Sequence, residues 1–207
     1  MPLDDIATYA RLSQQVTDRG PWQQTATGRA FFLADPRPEE VHIQDVAHAL
    51  SYQCRYNGHA RSFYSIAQHA VLVSQWMEED GCSAGLCYAG LHHDSAEAYT
   101  GDIVSQIKFI VPEVRVLEER VEAAVFEALG VSDGPSIRRL VKEYDLIALS
   151  TEVRDLLSEN LTEFSWGDLP PPRGETIIPF SPATVREIFR SRHYDLQRRM
   201  TRSFDVV

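Results

Sequence analysis

The sequence predicts an all-α protein, an orthogonal helical bundle with a small N-terminal β-hairpin. Three observations carry that reading. Apolar residues recur at i, i+3, i+4 and i+7 through most of residues 45–157, the period of one helix face. Asp or Ser precedes several of these runs and Gly follows them, which marks where helices start and stop. Turn-rich, extended sequence is concentrated at residues 20–44. With 207 residues, 43% hydrophobic and 24% charged, the chain has the composition of a soluble globular protein and enough length for one sizeable core. One domain over 1–207 is expected, with its core at about 45–157, the hairpin segment at 20–44 and a connection plus helix at 165–207.

The elements follow in order. Gly20-Pro21, Thr27-Gly28 and Asp35-Pro36-Arg37-Pro38 punctuate the first segment. Phe31-Phe32-Leu33 and Val41-His42-Ile43 read as two short strands joined through the proline-containing turn. From Asp45, placed as an N-cap, Val46, Ala49, Leu50 and Gln53 or Cys54 share a helix face. A loop with Asn57-Gly58 follows. Ser65 offers a hydroxyl cap to a second helix, which carries Ile66, His69, Ala70, Val73 and Met77 and stops before Gly81. A third helix is expected from about Ser83 to Ala98. A fourth, with Val114, Leu117, Val121, Ala124, Val125 and Ala128, ends at Gly130. A fifth, after Gly134-Pro135, carries Ile137, Leu140, Val141, Tyr144, Ala148, Leu149, Val153 and Leu156. Leu169-Pro170-Pro171-Pro172-Arg173-Gly174 lies in a Pro-rich connection over 165–182, and Ser181-Pro182 opens the last helix with Ser as cap and Pro at its first position.

Charge and cysteine usage remove several functions. Twenty Lys and Arg against thirty Asp and Glu leave a net charge of −10, which repels a phosphate backbone and argues against nucleic-acid binding. Cys54, Cys82 and Cys87 form no CxxC pair, so neither a disulfide framework nor a thiolate zinc site is indicated. The opening Met1-Pro2-Leu3-Asp4-Asp5 is acidic and lacks an apolar h-region. No apolar run approaches the roughly 18 residues of a membrane span. A cytoplasmic protein with no membrane association is expected.

The informative residues are the ionisable ones that interrupt apolar stripes. Asp145 lies four residues after Val141 and three before Ala148, so it points into the seam of its own helix. A buried carboxylate needs a partner, since isolation would cost several kcal/mol or force protonation. His69 stands on the apolar face of Ile66, Ala70 and Val73, and His93-Asp94 closes the run Leu86-Cys87-Tyr88-Ala89-Gly90-Leu91. Taken singly, each has a plainer reading: a hydrogen-bonded core histidine for His69, a common dipeptide for His93-Asp94, a core acid paired with Arg138 or Lys142 for Asp145. Their joint occurrence on three helices favours one shared interior site. Two imidazoles and two carboxylates without a thiolate suit one divalent ion, Mn²⁺, Co²⁺, Fe²⁺, Ni²⁺, Mg²⁺ or Zn²⁺. Four protein ligands around an octahedral ion leave two positions open, as hydrolysis requires.

The pattern H…HD…D resembles that of the HD-domain superfamily of metal-dependent phosphohydrolases. Its stations are Tyr64-Ser65-Ile66-Ala67-Gln68-His69, Leu91-His92-His93-Asp94 and Tyr144-Asp145. His93-Asp94-Ser95-Ala96-Glu97, Thr100-Gly101-Asp102 and then Lys108 look like the branch of 5′-deoxynucleotidases and small deoxynucleoside triphosphohydrolases. The resemblance covers about residues 45–157. It implies that His69, His93, Asp94 and Asp145 bind the ion, that Glu97 is the general acid or base, and that Asp102 holds or activates the attacking water. Helical spacing supports Glu97 independently, since i+4 from His93 and i+3 from Asp94 puts it one turn along the same face. For both acids the plainer alternative is a solvated helix or turn carboxylate.

So acidic a site would repel a phosphate dianion without added cations. Lys108, Arg55 and Arg61 are the candidates for substrate binding, and a surface arginine is an equal reading of Arg61. His59 and His92 lie near enough in sequence to be considered. The leading expectation is a phosphohydrolase of a (deoxy)nucleotide, a 5′-nucleotidase or a triphosphohydrolase. The alternatives are a hydrolase of a guanosine tetraphosphate-type signalling nucleotide, a non-catalytic metal-dependent nucleotide sensor, and a helical interaction module whose His and Asp pair only with each other. A homodimer is expected by resemblance alone. The Pro-rich connection and the hairpin segment bear on substrate size, because either can wall the pocket.

Overall fold

A computed structural model describes residues 16–158 and 165–204; the reading of Met1–Asp5 lies outside them. The helices are Ile43–Tyr52 (α1), Ile66–Glu79 (α2), Ala84–His92 (α3), Glu97–Thr100 (α4), Ser105–Ile110 (α5), Glu113–Leu129 (α6), Pro135–Leu156 (α7) and Pro182–Phe204 (α8). Their starts are written locally. Ser65 Oγ accepts from the Gln68 amide at 3.2 Å, Ser83 Oγ from Leu86 at 3.4 Å and Ser181 Oγ from Thr184 at 3.3 Å, each satisfying an amide that the first helical turn leaves unpaired. Gly130 takes the left-handed conformation (φ 66°) that ends α6.

Packing of α2 against α3 is the centre of the bundle, with α8 closing over α1, α2 and α3 and α7 lying on α2 and α3. Leu50, Ile66, Ala70, Val73, Met77, Leu91, Ala148, Phe189 and Leu196 are buried there. α2 and α3 come close at Gly90, where an added Cβ would meet the movable end of Met77, Sδ, and stand 3.5 Å from Val73 Cγ1. That close approach sets His69 on α2 opposite His93 just beyond α3.

Four expectations change in detail. The β element consists of two short antiparallel ladders, Val16–Thr17 with Gly20–Pro21 and Gln23–Gln24 with Ala30–Phe31. Phe31 therefore pairs back with Gln23 around a turn closed by Gly28 (φ 82°), and Val41-His42-Ile43 is not its partner strand. Pro38 instead opens a 3₁₀ turn over Pro38–Glu40, since a residue with fixed φ and no N–H suits a first helical position better than a ladder. Asp45 is not the N-cap of α1. It lies in the first turn, buried, and accepts from the Thr27 amide at 2.7 Å and Thr27 Oγ1 at 2.8 Å, tying the hairpin turn to α1. The third helix ends at His92 rather than near Ala98. Ser95 donates its amide to His92 O and Glu97 to Asp94 O, both at 3.0 Å, so the chain tightens into i→i−3 turns before α4. Finally, α5 was not expected as a helix, because Ile107, Phe109 and Ile110 are exposed and show no buried periodicity.

The Pro-rich connection is a strap. Gln68 donates Nε2 to Ile178 O and accepts from the Phe180 amide through Oε1, Arg154 donates to Arg173 O and Glu175 O, and Ile177 is buried beneath. Side chains of α2 and α7 thus answer backbone groups that no ladder satisfies. Among the described residues no helix is long and apolar enough to cross a membrane.

Candidate metal centre

Three elements converge on one point. His69 comes from α2, His93 and Asp94 from the turn after α3, and Asp145 from α7. One ligand atom from each of His69, His93 and Asp94 lies within 4.8 Å of the others. His69 Nε2 stands 3.3 Å from His93 Nε2. Asp94 Oδ2 is 3.2 Å from His93 Nε2 and 3.7 Å from His69 Nε2. Asp145 Oδ1 is 3.1 Å from His69 Nε2 and 3.9 Å from His93 Nε2.

The outer nitrogens fix what the inner ones present. His93 Nδ1 lies 2.8 Å from Gly90 O, and a carbonyl only accepts, so Nδ1 carries the hydrogen. His69 Nδ1 lies 2.6 Å from Glu152 Oε1, and Glu152 is held at about 2, Arg55 and His69 outweighing the upward push of burial. His69 Nδ1 therefore donates as well. In the neutral rings both Nε2 lone pairs then face inward, together with Asp94 Oδ2 and Asp145 Oδ1. Four acceptors with no donor among them call for positive charge between them. Two ring protons or one metal ion can supply it, and nitrogen ligands each about 2.1 Å from a shared ion stand roughly 3.0–3.4 Å apart. His69, His93 and Asp94 fit a divalent ion, with Asp145 against the two imidazoles beside them.

The same demand appears in the titration of the groups. Burial and Arg55 push His69 down, yet Glu152 and Asp145 raise it to about 9. His93 is raised against burial by Asp94 and Asp145. Asp94 and Asp145 are driven well below the usual carboxylate range, the two imidazoles overcoming burial. Lys142 Nζ holds the other oxygen of Asp145 at 2.6 Å, so pairing to Lys142 and facing the histidines coexist in one carboxylate.

Glu152 is the residue that sequence reading missed. It is fully buried and takes His69 Nδ1, Arg55 Nε at 3.2 Å, Tyr64 Oη at 3.0 Å and Tyr56 Oη. A signal existed: Glu152 lies four residues after Ala148 and four before Leu156, on the stripe that singled out Asp145. By holding His69 Nδ1 it sets which ring nitrogen faces the centre.

The remaining candidates lie at different distances from the cluster. Glu97 shares a cleft of about 300 Å³ with His93, Asp94 and Lys108. Its Oε2 is buried without a hydrogen-bond partner among the described residues, and burial, Asp94 and Asp102 raise its pKa well above the ordinary value. Asp102 is half-buried and raised by burial against the pull of Arg55. It follows Gly101 (φ 83°) and lines a separate cleft with Arg55 and Tyr56. Arg55 is committed to Glu152 and reaches Asp94 Oδ2 through Nη1 at 3.5 Å. Lys108 Nζ pairs with Glu118 at 2.9 Å. Arg61 is exposed, its amide donating to Leu156 O at 2.8 Å, and His59 is also exposed. His92 is turned away from the cluster: its Nδ1 lies 2.8 Å from Ser95 Oγ and its Nε2 3.0 Å from His193 Nδ1.

A family model described as "HD domain" matches residues 55–154. The chain is 34% identical over 174 residues to the "uncharacterized protein YfdR" of Escherichia coli strain K12, covering 84% of this chain and 94% of that protein. It is 31% identical over 192 residues to the "uncharacterized protein RCAP_rcc00048" of Rhodobacter capsulatus, covering 87% and 97%.

Proposed function

The chain belongs to the HD-domain family, in general metal-dependent phosphohydrolases of small molecules, and we propose that it hydrolyses a phosphate ester of a (deoxy)nucleotide with one bound divalent ion. The carrying observation is the acceptor-only cluster, in which His69 Nε2, His93 Nε2, Asp94 Oδ2 and Asp145 Oδ1 converge while both Nδ1 atoms are held from outside. When bound, such an ion withdraws charge from phosphoryl oxygens and acidifies water.

The chain's own groups divide the rest of the work. Glu152 and Gly90 O orient the two imidazoles. Glu97, whose pKa burial, Asp94 and Asp102 raise well above the ordinary carboxylate value, can deliver a proton to a leaving oxygen and take one back from water. Asp102 would hold the attacking water. Lys108, with Arg115 and Arg138 on the same cleft, offsets the acids as negative charge spreads over the equatorial oxygens. Arg55 acts at Asp94 and Glu152. A 5′-nucleotidase and a nucleoside triphosphohydrolase both fit this arrangement, and the cytoplasm and a homodimer belong to the same proposal.

A panel of nucleoside mono- and triphosphates, assayed with Mn²⁺, Co²⁺, Fe²⁺, Ni²⁺, Mg²⁺ or Zn²⁺, tests it. Orthophosphate release from monophosphates marks a nucleotidase, and tripolyphosphate release marks a triphosphohydrolase. Absence of product with every ion, from protein shown to hold metal, overturns the proposal; retained nucleotide binding would then point to a sensor.

A further inference from the structure

Among the described residues two clefts open on the cluster and another lies beside Arg55 and Asp102, and they differ in chemistry. One shares Glu97 and Lys108 and is walled by the acids Glu118, Glu119 and Glu122. A second has an apolar floor, but its aromatic ring, Phe126, is buried, and Arg138 lies over it at 5.8 Å. The third, about 200 Å³, is lined by Arg55, Tyr56, Asp102, Gln106, Leu149 and Trp166. Of the described residues that line these clefts, the aromatic side chain that stands in water is Trp166, 45% exposed.

Resting on the nucleotide reading above, we propose that the third cleft receives the planar heteroaromatic base of the substrate, with Trp166 as its stacking face. Two walls tie the cleft to the chemistry. Asp102 belongs to it, and Arg55 extends from it to within 3.5 Å of Asp94 Oδ2. In this proposal the organic portion of a phosphate ester held at the cluster runs past Arg55 toward Trp166. The volume, below the ~300–1,000 Å³ of ordinary small-molecule pockets, suits one ring system and little more.

Backbone conformation supports the same assignment. Tyr56 and Asn57 both lie in the left-handed region, at φ 58° and 50°, a costly state for a bulky residue that persists where surrounding contacts enforce it. The turn directs the Tyr56 hydroxyl onto Glu152 behind the cluster while the residue lines the cleft. Cleft and metal centre thus share one rigid wall. On the opposite side, Gly167 (φ 74°) turns the chain just after Trp166, and its amide donates to Ser165 Oγ at 3.3 Å. Trp166 belongs to the Pro-rich connection, which gives that segment a part in choosing the substrate.

The test compares a deoxynucleoside 5′-monophosphate with 2-deoxyribose 5-phosphate, the same ester without a base. In Trp166→Ala the preference for the nucleotide, as a ratio of kcat/KM values, is expected to fall roughly 5- to 150-fold, the range of base–aromatic stacking. Trp166→Phe, which keeps a ring, should recover most of it. An unchanged ratio in Trp166→Ala overturns the proposal. A second readout needs no turnover: deoxyadenosine, which has no phosphate ester to hydrolyse, titrated into the protein as purified should quench tryptophan emission in the wild type and not in Trp166→Ala. If neither ester is hydrolysed, the functional reading fails while the titration still decides the cleft. Quenching that persists in Trp166→Ala, or none in the wild type, removes the base from this site.

Discussion

His92 and His93 are adjacent in the chain and live in opposite environments. His93 faces Asp94, Asp145 and His69, and its pKa is raised. His92 faces Ser95 and His193, with Tyr88 beside both rings, and burial with two neighbouring imidazoles pushes it well below its ordinary value. On the first side, carboxylates make a centre that attracts cations. On the second, neutral partners make a dry buttress between the turn after α3 and helix α8. Residue type does not assign the role; the charge of the partners does.

The sharpest way to break this contrast is to remove a ligand. His69→Ala and Asp145→Ala should each take metal content from about one equivalent to none, measured by metal analysis of protein purified without added ions. Metal retained in both would dissolve the cluster's claim to be a centre. Next in size, Glu97→Ala should lower turnover by about 10²–10⁴-fold or more with metal content intact, since it removes a proton donor and no ligand. Activity near wild type would take Glu97 out of the reaction.

Glu152→Gln probes the outer hold on His69. Metal affinity should weaken by about 10–100-fold, read by chelator competition. On the other side of the turn, His193→Leu leaves His92 Nε2 without its partner. It should lower unfolding stability by about 1–3 kcal/mol in denaturant titration while metal affinity stays within error. Equal metal loss in this variant would erase the distinction between the two sides.

The last effect is in pH. Burial lowers His193 to about 4 from an ordinary 6.5. Between those values the unfolded chain binds a proton that the folded chain refuses, so this contribution is complete above about 6.5 and is lost as pH falls toward 4. Thermal midpoints from pH 7 to 4 should drop less steeply in His193→Leu than in wild type. Parallel slopes would mean that His193 is not held neutral by the fold.

Much of this was legible in advance because it follows from the chain's own period. The stripes of α2 and α7 identified His69 and Asp145, and Ser65, Ser83 region and Gly130 marked helix ends that the backbone respects. Short-range competition defeated other readings. Asp45 serves Thr27 rather than its own helix, and Pro38 starts a turn rather than a strand. Arg55, expected to meet phosphate, is drawn to Glu152 and Asp94, because a fully buried carboxylate so close outweighs an exposed role.

What the sequence determined by itself is which ionisable side chains lie on apolar faces, since helical period places each residue relative to its own helix. Which partner each one meets was decided only in the tertiary structure. Successive residues on a helix point about 100° apart, so His92 and His93 had to diverge. That one met carboxylates and the other a second buried histidine depended on how α7 and α8 pack against α3 from different sides, and no local pattern carries that information.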